Sequence, residues 1–152
     1  KNIDETINQI MIDRGMQPQS KGVVHWSISS LTKNPRMADT LLKSVYKKKA
    51  LVPASPWLDN KPPAMPVVVT ELKESKWKIS WTHLDEKDIF HWVVYYRYGT
   101  EWNYQLLNRN DRWILINQIK EFGAAKQILR NIIVTAVDRM GNESEHKAIE
   151  LK

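Results

Sequence analysis

The hydrophobic and polar positions change period once along this 152-residue chain. In residues 4–14, Ile7, Ile10, Met11 and Arg14 recur at helical spacing, with Ile3 just ahead. Asp4 suits the start of this helix as a cap, and Gly15 suits its stop. Residues 17–22 read as a loop. Val23-Val24-His25-Trp26-Ser27-Ile28 reads as a short, largely apolar strand, of the kind covered on both faces in a parallel sheet. Asn34-Pro35 then opens a second helix over 35–46, with Asn as cap and Pro at the first helical position. Met37, Ala38, Leu41, Leu42 and Val45 give that helix one apolar face. A helix, a strand and a helix are one slice of an α/β fold. One strand cannot make a sheet, so this slice implies missing partners.

From Val67 onward the period falls to two. Val67–Leu72 is a strand candidate. Trp77-Lys78-Ile79-Ser80-Trp81 alternates, which puts Trp77, Ile79 and Trp81 on one face. His91–Tyr98, Trp102–Leu107 and Trp113–Ile116 follow. Leu129–Val137 and Ser144–Leu151 close the set, joined by a turn around Met140-Gly141-Asn142. Seven short strands with turn signals between them predict a β-sandwich. The seam between the two periods is Ala50–Asp59. Five of the seven prolines fall between Pro53 and Pro66, so the segment should be stiff and extended. The expected division is therefore 1–60 for the end of one domain and 61–152 for a sandwich after a Pro-rich linker.

Composition narrows the classes. Hydrophobic residues make up 42% and charged residues 26%, which fits a globular chain. The net charge is +6. Lys43, Lys47, Lys48 and Lys49 supply much of it at a helix end, where cations suit the helix dipole. The alternative, a phosphate-binding patch, lacks clustered Arg or interleaved aromatics, so no nucleic-acid partner is expected. The chain has no Cys, which excludes disulfides and thiolate chemistry and leaves the compartment open. No apolar run approaches the ~20 residues of a membrane span. A chain opening on Lys1-Asn2-Ile3 reads as a fragment whose targeting segment is missing.

Two resemblances add to this reading. From about Pro66 to Lys152 the chain resembles a fibronectin type III domain. Trp77–Trp81 is similar to its second strand with the buried Trp, and Trp92–Arg97 to its third. Ile133–Ser144 is similar to its sixth strand, turn and seventh strand. The family's strand-six tyrosine would fall near Arg130, so the usual corner hydrogen bond is in doubt. The first part resembles the end of the tenth glycosyl-hydrolase-like group of bacterial envelope lipoproteins. The matching residues are Gly22–Ser27, the Asn34-Pro35 helix start and the Ala50–Asp59 segment. That resemblance implies the last units of a TIM barrel, about a quarter of one, followed by a fibronectin type III-like β-sandwich. It also implies a cell-envelope location through a lipid-anchored N-terminus, and a glycan as partner of the parent protein. The fragment itself would make no membrane contact and take no cofactor.

Glycoside hydrolysis needs two carboxylates beside the scissile bond. The expected eighth strand ends in Trp26-Ser27-Ile28-Ser29-Ser30, with no acid, so no catalytic residue is assigned and the acids are expected upstream. His25, Trp26 and Ser27 are the candidate substrate contacts, because an indole stacks on a sugar ring; strand packing is the competing account. Trp57 is the candidate domain-interface anchor. Asp85, Glu86 and Asp88 read as a solvated turn rather than an acid pair or calcium site. His25, His83, His91 and His146 lack metal-ligand spacing. Asn142-Glu143-Ser144 matches a glycosylation sequon, but a turn already explains it. Trp92, Tyr96, Tyr98, Trp102 and Tyr104 exceed what a sandwich interior requires. They read as core or interface packing, with an exposed carbohydrate platform as the alternative. The expected function is the non-catalytic C-terminal portion of a bacterial glycoside hydrolase acting on a polysaccharide or envelope glycan. The alternative is a carbohydrate- or protein-binding sandwich without associated catalysis. An open edge on strand 23–28 predicts a homodimer that substitutes for the missing strands.

Overall fold

The computed structural model describes residues 2–16, 22–123 and 125–152. It divides into two compact units, Lys1–Ala50 and Leu51–Lys152. The expected seam residues 51–60 thus fall with the second unit. Apart from Gly22, the loop expected at 17–22 lies outside the described residues.

The first unit holds α1 (Ile3–Met16), α2 (Ser29–Thr32) and α3 (Pro35–Lys43). Asn2, not Asp4, caps α1, since its Oδ1 accepts from the Asp4 N–H at 3.1 Å. Asp4 and Glu5 instead oppose the positive end of the helix dipole. Asn34 caps α3 as expected, accepting from the Met37 N–H at 3.1 Å, with Pro35 as the first helical residue. The helix stops at Lys43, earlier than expected. Ser44 ends it, its hydroxyl donating back to the Thr40 carbonyl at 2.6 Å. Ile10, Met37 and Leu41 form a small core, flanked by Ile7, Leu31 and Val45.

No strand forms at 23–28, against expectation. A strand is made by inter-strand hydrogen bonds, and the described residues of this unit offer no neighbour to bond. Val24, Trp26 and Ile28 are exposed instead. The α/β slice is therefore absent from the described residues, and so is the strand edge on which the expected homodimer rested.

The second unit carries β1 (Val67–Lys73), β2 (Lys76–Thr82), β3 (Ile89–Tyr98), β4 (Glu101–Asn108), β5 (Trp113–Asn117), β6 (Ile119–Phe122), β7 (Ala125–Asp138) and β8 (Ile149–Glu150). β1-β2-β5 form one sheet. β4-β3-β7-β6 form the other, with β8 on β7. All pairs are antiparallel. The inner faces meet in one core. Trp77, Ile79 and Trp81 enter from β2, Trp92, Val94 and Tyr98 from β3, and Leu129, Ile132, Val134 and Ala136 from β7. Trp81 and Trp92 meet with ring centroids 6.1 Å apart. This is the fibronectin type III-like arrangement of a three-stranded sheet on a larger one.

Two strands differ from the expected set. β6 was not expected; it pairs with the start of β7 in a hairpin in which Gly123 takes φ 61°. The expected strand 144–151 shortens to β8 plus a bridge between Val137 and Glu143. Side-chain bonding interrupts the ladder there, because Ser144 Oγ accepts from the Ala136 N–H at 3.1 Å.

The Pro-rich segment is held against the turn that follows β7. The Ser55 N–H donates to the Met140 carbonyl at 2.8 Å, and Asn142 Nδ2 donates to the Asp59 carbonyl at 3.1 Å. Asp138 organises that turn. Its Oδ1 accepts from the backbone N–H groups of Met140 and Asn142 at 2.8 Å each, and its Oδ2 accepts from Asn142 Nδ2 at 2.9 Å. The Asn142 amide, part of the sequon, is thus buried and doubly engaged.

Candidate functional site

The sequence-derived sugar contacts gather at a cavity of about 560 Å³ within the first unit. One wall is α1, through Glu5, Gln9 and Asp13; the facing rim is the irregular segment that carries His25, Trp26 and Ser27. His25 is half-buried, and its Nε2 lies 2.7 Å from the Tyr46 hydroxyl. The two rings meet edge to face, 5.8 Å apart at 84°. Arg14 lies over the Tyr46 ring, 5.5 Å from its centroid, and donates to the Val45 carbonyl at 2.9 Å. His25 is therefore oriented by a tyrosine that α1 itself positions. Ser27 Oγ pairs with Ser29 Oγ at 2.8 Å. Trp26 is 90% exposed, so its indole face is open to a ligand rather than packed in a strand.

The cavity wall also holds two carboxylates, Glu5 and Asp13. They stand eight residues apart on one helix, so about 12 Å separates them along its axis. Paired glycosidase acids sit roughly 5–9.5 Å apart. Glu5 is further engaged, accepting from Gln9 Nε2 at 3.0 Å. The arrangement can orient and stack a polar ring but does not flank a glycosidic bond with an acid and a base.

Trp57 is 78% exposed on the second unit. The hydrogen bonds that fix its segment come from Ser55 and Asp59 instead. Of the aromatic set singled out by sequence, Trp92, Tyr96 and Tyr98 pack in or against the core. Trp92 Nε1 donates to the Arg109 carbonyl at 3.0 Å, and the Tyr98 hydroxyl donates to the Asn117 carbonyl. Burial, then the neighbouring Tyr96, raises the Tyr98 pKa. Trp102 and Tyr104 point to the opposite, outer face. Arg97 lies 5.4 Å over the Trp102 ring and is held by Asn131 Oδ1. Glu86 of the acidic turn pairs with Arg112 at 2.5 Å, and Asp85 Oδ1 accepts from the Lys87 N–H at 3.1 Å. Among the described residues no group of three or more His, Asp or Glu is placed to hold a metal, and no helix is long and apolar enough to cross a membrane.

Sequence reasoning missed a polar cluster on the outer face of the larger sheet. Glu143 Oε1 accepts from Tyr95 at 2.8 Å and from Thr135 at 2.5 Å, and lies 3.1 Å from His146 Nε2. Burial first, then the bond to Glu143, raises the Tyr95 pKa well above its ordinary value. It also missed Trp113, which is 55% exposed on the outer face of the smaller sheet. The alternation within Trp113-Ile114-Leu115-Ile116 was the available signal, but with all four residues apolar it does not say which face is outer.

No family model matches the chain. It is similar to the glycosyl hydrolase YngK of Bacillus subtilis (strain 168), at 40% identity over 74 residues. That stretch is 48% of this chain and 14% of the relative, so the chain spans a small part of the protein it matches. Among solved structures, the spore cortex lytic enzyme SleM of Clostridium perfringens matches with a TM-score of 0.45 and 20% identity, over 60% of this chain and 28% of that one. The FN1-FN3 domains of chicken CNTN1 match with a TM-score of 0.47 and 17% identity, over 59% and 32%.

Proposed function

We propose that this chain is a non-catalytic portion of a larger bacterial glycoside hydrolase that acts on a polysaccharide or cell-envelope glycan. The observation that carries the reading is the 40% identity to a glycosyl hydrolase over 74 residues. In this reading residues 1–60 complete the end of a TIM barrel whose other strands and catalytic carboxylates belong to the rest of the parent. The exposure of Val24 and Ile28 supports that, since such side chains suit burial against further strands. His25, Trp26 and Ser27 contact sugar at the barrel mouth, with Tyr46 holding His25. The sandwich is an accessory domain, and the parent is lipid-anchored at the cell envelope.

The test is reducing-end release from a panel of polysaccharides, including purified cell-wall glycan, by this chain and by its full-length parent. The reading expects release by the parent and none by the chain. Turnover by the chain alone would overturn the placement of the catalytic acids elsewhere.

A further inference from the structure

The outer face of the smaller sheet is set by the register of its strands. Trp77, Ile79 and Trp81 point into the core, so Lys76, Lys78 and Ser80 point out. One outer row is Val69–Ser80–Trp113, the next Glu71–Lys78–Leu115, and the last Lys73–Lys76–Asn117. Val67 and Val69 on β1 and Trp113 and Leu115 on β5 are all exposed, so an apolar pair stands on either side of β2. Ser80, between Val69 and Trp113, is small, and its hydroxyl donates back to the Val69 carbonyl at 3.4 Å. Lys78 Nζ lies 5.7 Å from the Trp113 ring centroid. The face carries three lysines against one carboxylate, Glu71, which Lys73 already pairs at 3.2 Å.

We propose that this face binds an anionic polysaccharide, with Trp113 as the stacking platform and Lys76 and Lys78 as partners for its carboxylates. The proposal rests on the glycoside-hydrolase reading above and deepens it by naming a second contact and a class of glycan. Exposed apolar side chains gathered on one sheet face mark a contact site, and the composition of that face selects the partner. The C–H face of a pyranose covers an indole without leaving a polar group unpaired. Same-face neighbours are about 7 Å apart along a strand and about 4.8 Å apart between strands, so Lys78 is one row from Trp113 and Lys76 two rows, a span of a few sugar rings. A carboxylate on those rings meets an ammonium in a charge-assisted hydrogen bond. Trp102 on the other sheet is a weaker platform, since Arg97 covers it and Asn131 holds that guanidinium in place. Lys78 rides on a flexible stem and can swing from the ring to the ligand.

The experiment titrates the whole chain with polygalacturonate, with fully methyl-esterified homogalacturonan, which has the same rings without charge, and with polyglutamate, which has the charge without rings. Tryptophan fluorescence and calorimetry report binding. Polygalacturonate should bind roughly tenfold more tightly than either comparison polymer. Trp113→Ala should weaken it roughly tenfold, and the double variant Lys76→Gln, Lys78→Gln should weaken it similarly and flatten its salt dependence. Unchanged thermal unfolding would establish that both variants are folded. Equal binding to polyglutamate, or full binding by both variants, would overturn the proposal. Binding lost in Trp26→Ala and kept in Trp113→Ala would overturn it too, while leaving the glycoside-hydrolase reading intact. Failure to bind any glycan, together with no turnover by the full-length parent, would remove both.

Discussion

The two units of this chain solve the same problem to different degrees. The sandwich closes two sheets over a core with three tryptophans inside, Trp77, Trp81 and Trp92. Among the described residues of the helical unit, Ile10, Met37 and Leu41 are buried, and Val24, Trp26 and Ile28 stand in water. So small a core offsets less conformational entropy than the continuous core of the sandwich does. The contrast lies in burial: two facing sheets enclose a continuous core, whereas the described helices cover each other only at one small contact.

The sharpest way to break this comparison is to delete a core side chain from each unit. Trp92→Ala should cost the sandwich about 3–5 kcal/mol in urea denaturation, by cavity formation and the lost bond to Arg109. Leu41→Ala should leave the main unfolding transition where it is and remove only helical signal in circular dichroism. A shift of the main transition by Leu41→Ala would mean that the two units fold together.

The next effects concern the outer face of the larger sheet and the turn that follows β7. Glu143→Ala strips the acceptor from Tyr95 and Thr135, and should destabilise the sandwich by about 1–3 kcal/mol, whereas Glu143→Gln, which keeps a carbonyl, should lose less. Gly141→Ala should cost about 1–2 kcal/mol. Its φ is 82°, and a Cβ there would stand 2.9 Å from the Val52 carbonyl oxygen, so hydrogen exchange at Ser55 should also speed up. Protection of Ser55 unchanged in that variant would show that the segment is held by something other than this turn.

The smallest effect is a pH dependence confined to the sandwich. The Tyr95 pKa is raised on folding, so the folded state holds its proton more tightly than the unfolded chain. That contribution is fully present below the ordinary pKa of 10.0 and is lost as pH rises through the folded value. Stability should therefore fall above about pH 10, less steeply in Tyr95→Phe. Tyr98 shifts in the same direction, so a residual slope should persist. A Tyr95→Phe profile superimposable on the parent would assign the alkaline loss to Tyr98 or elsewhere.

Most of the sandwich was legible because its strands alternate. Trp77–Trp81 reads inner and outer without ambiguity, since lysine and serine separate the apolar residues. β6 was illegible because four residues, Ile119–Phe122, are too few to show a period, and only pairing with β7 makes them a strand. The segment 23–28 misled for the reverse reason: an apolar run carries strand propensity, but a strand exists only beside another. At the candidate site, sequence singled out His25, Trp26 and Ser27. It could not supply Tyr46 as the partner of His25, because 21 residues separate them.

What the sequence determined by itself was the change of period, the Asn34 cap of α3 and the inward set of each alternating strand. These depend on residues at most a few positions apart, where backbone geometry decides the outcome. The tertiary structure alone decided that the Pro-rich segment lies with the sandwich, that Glu143 gathers Tyr95, Thr135 and His146, and that Trp113 faces water. Each of these depends on which strands become neighbours, a choice made by closing the whole core rather than by any local stretch.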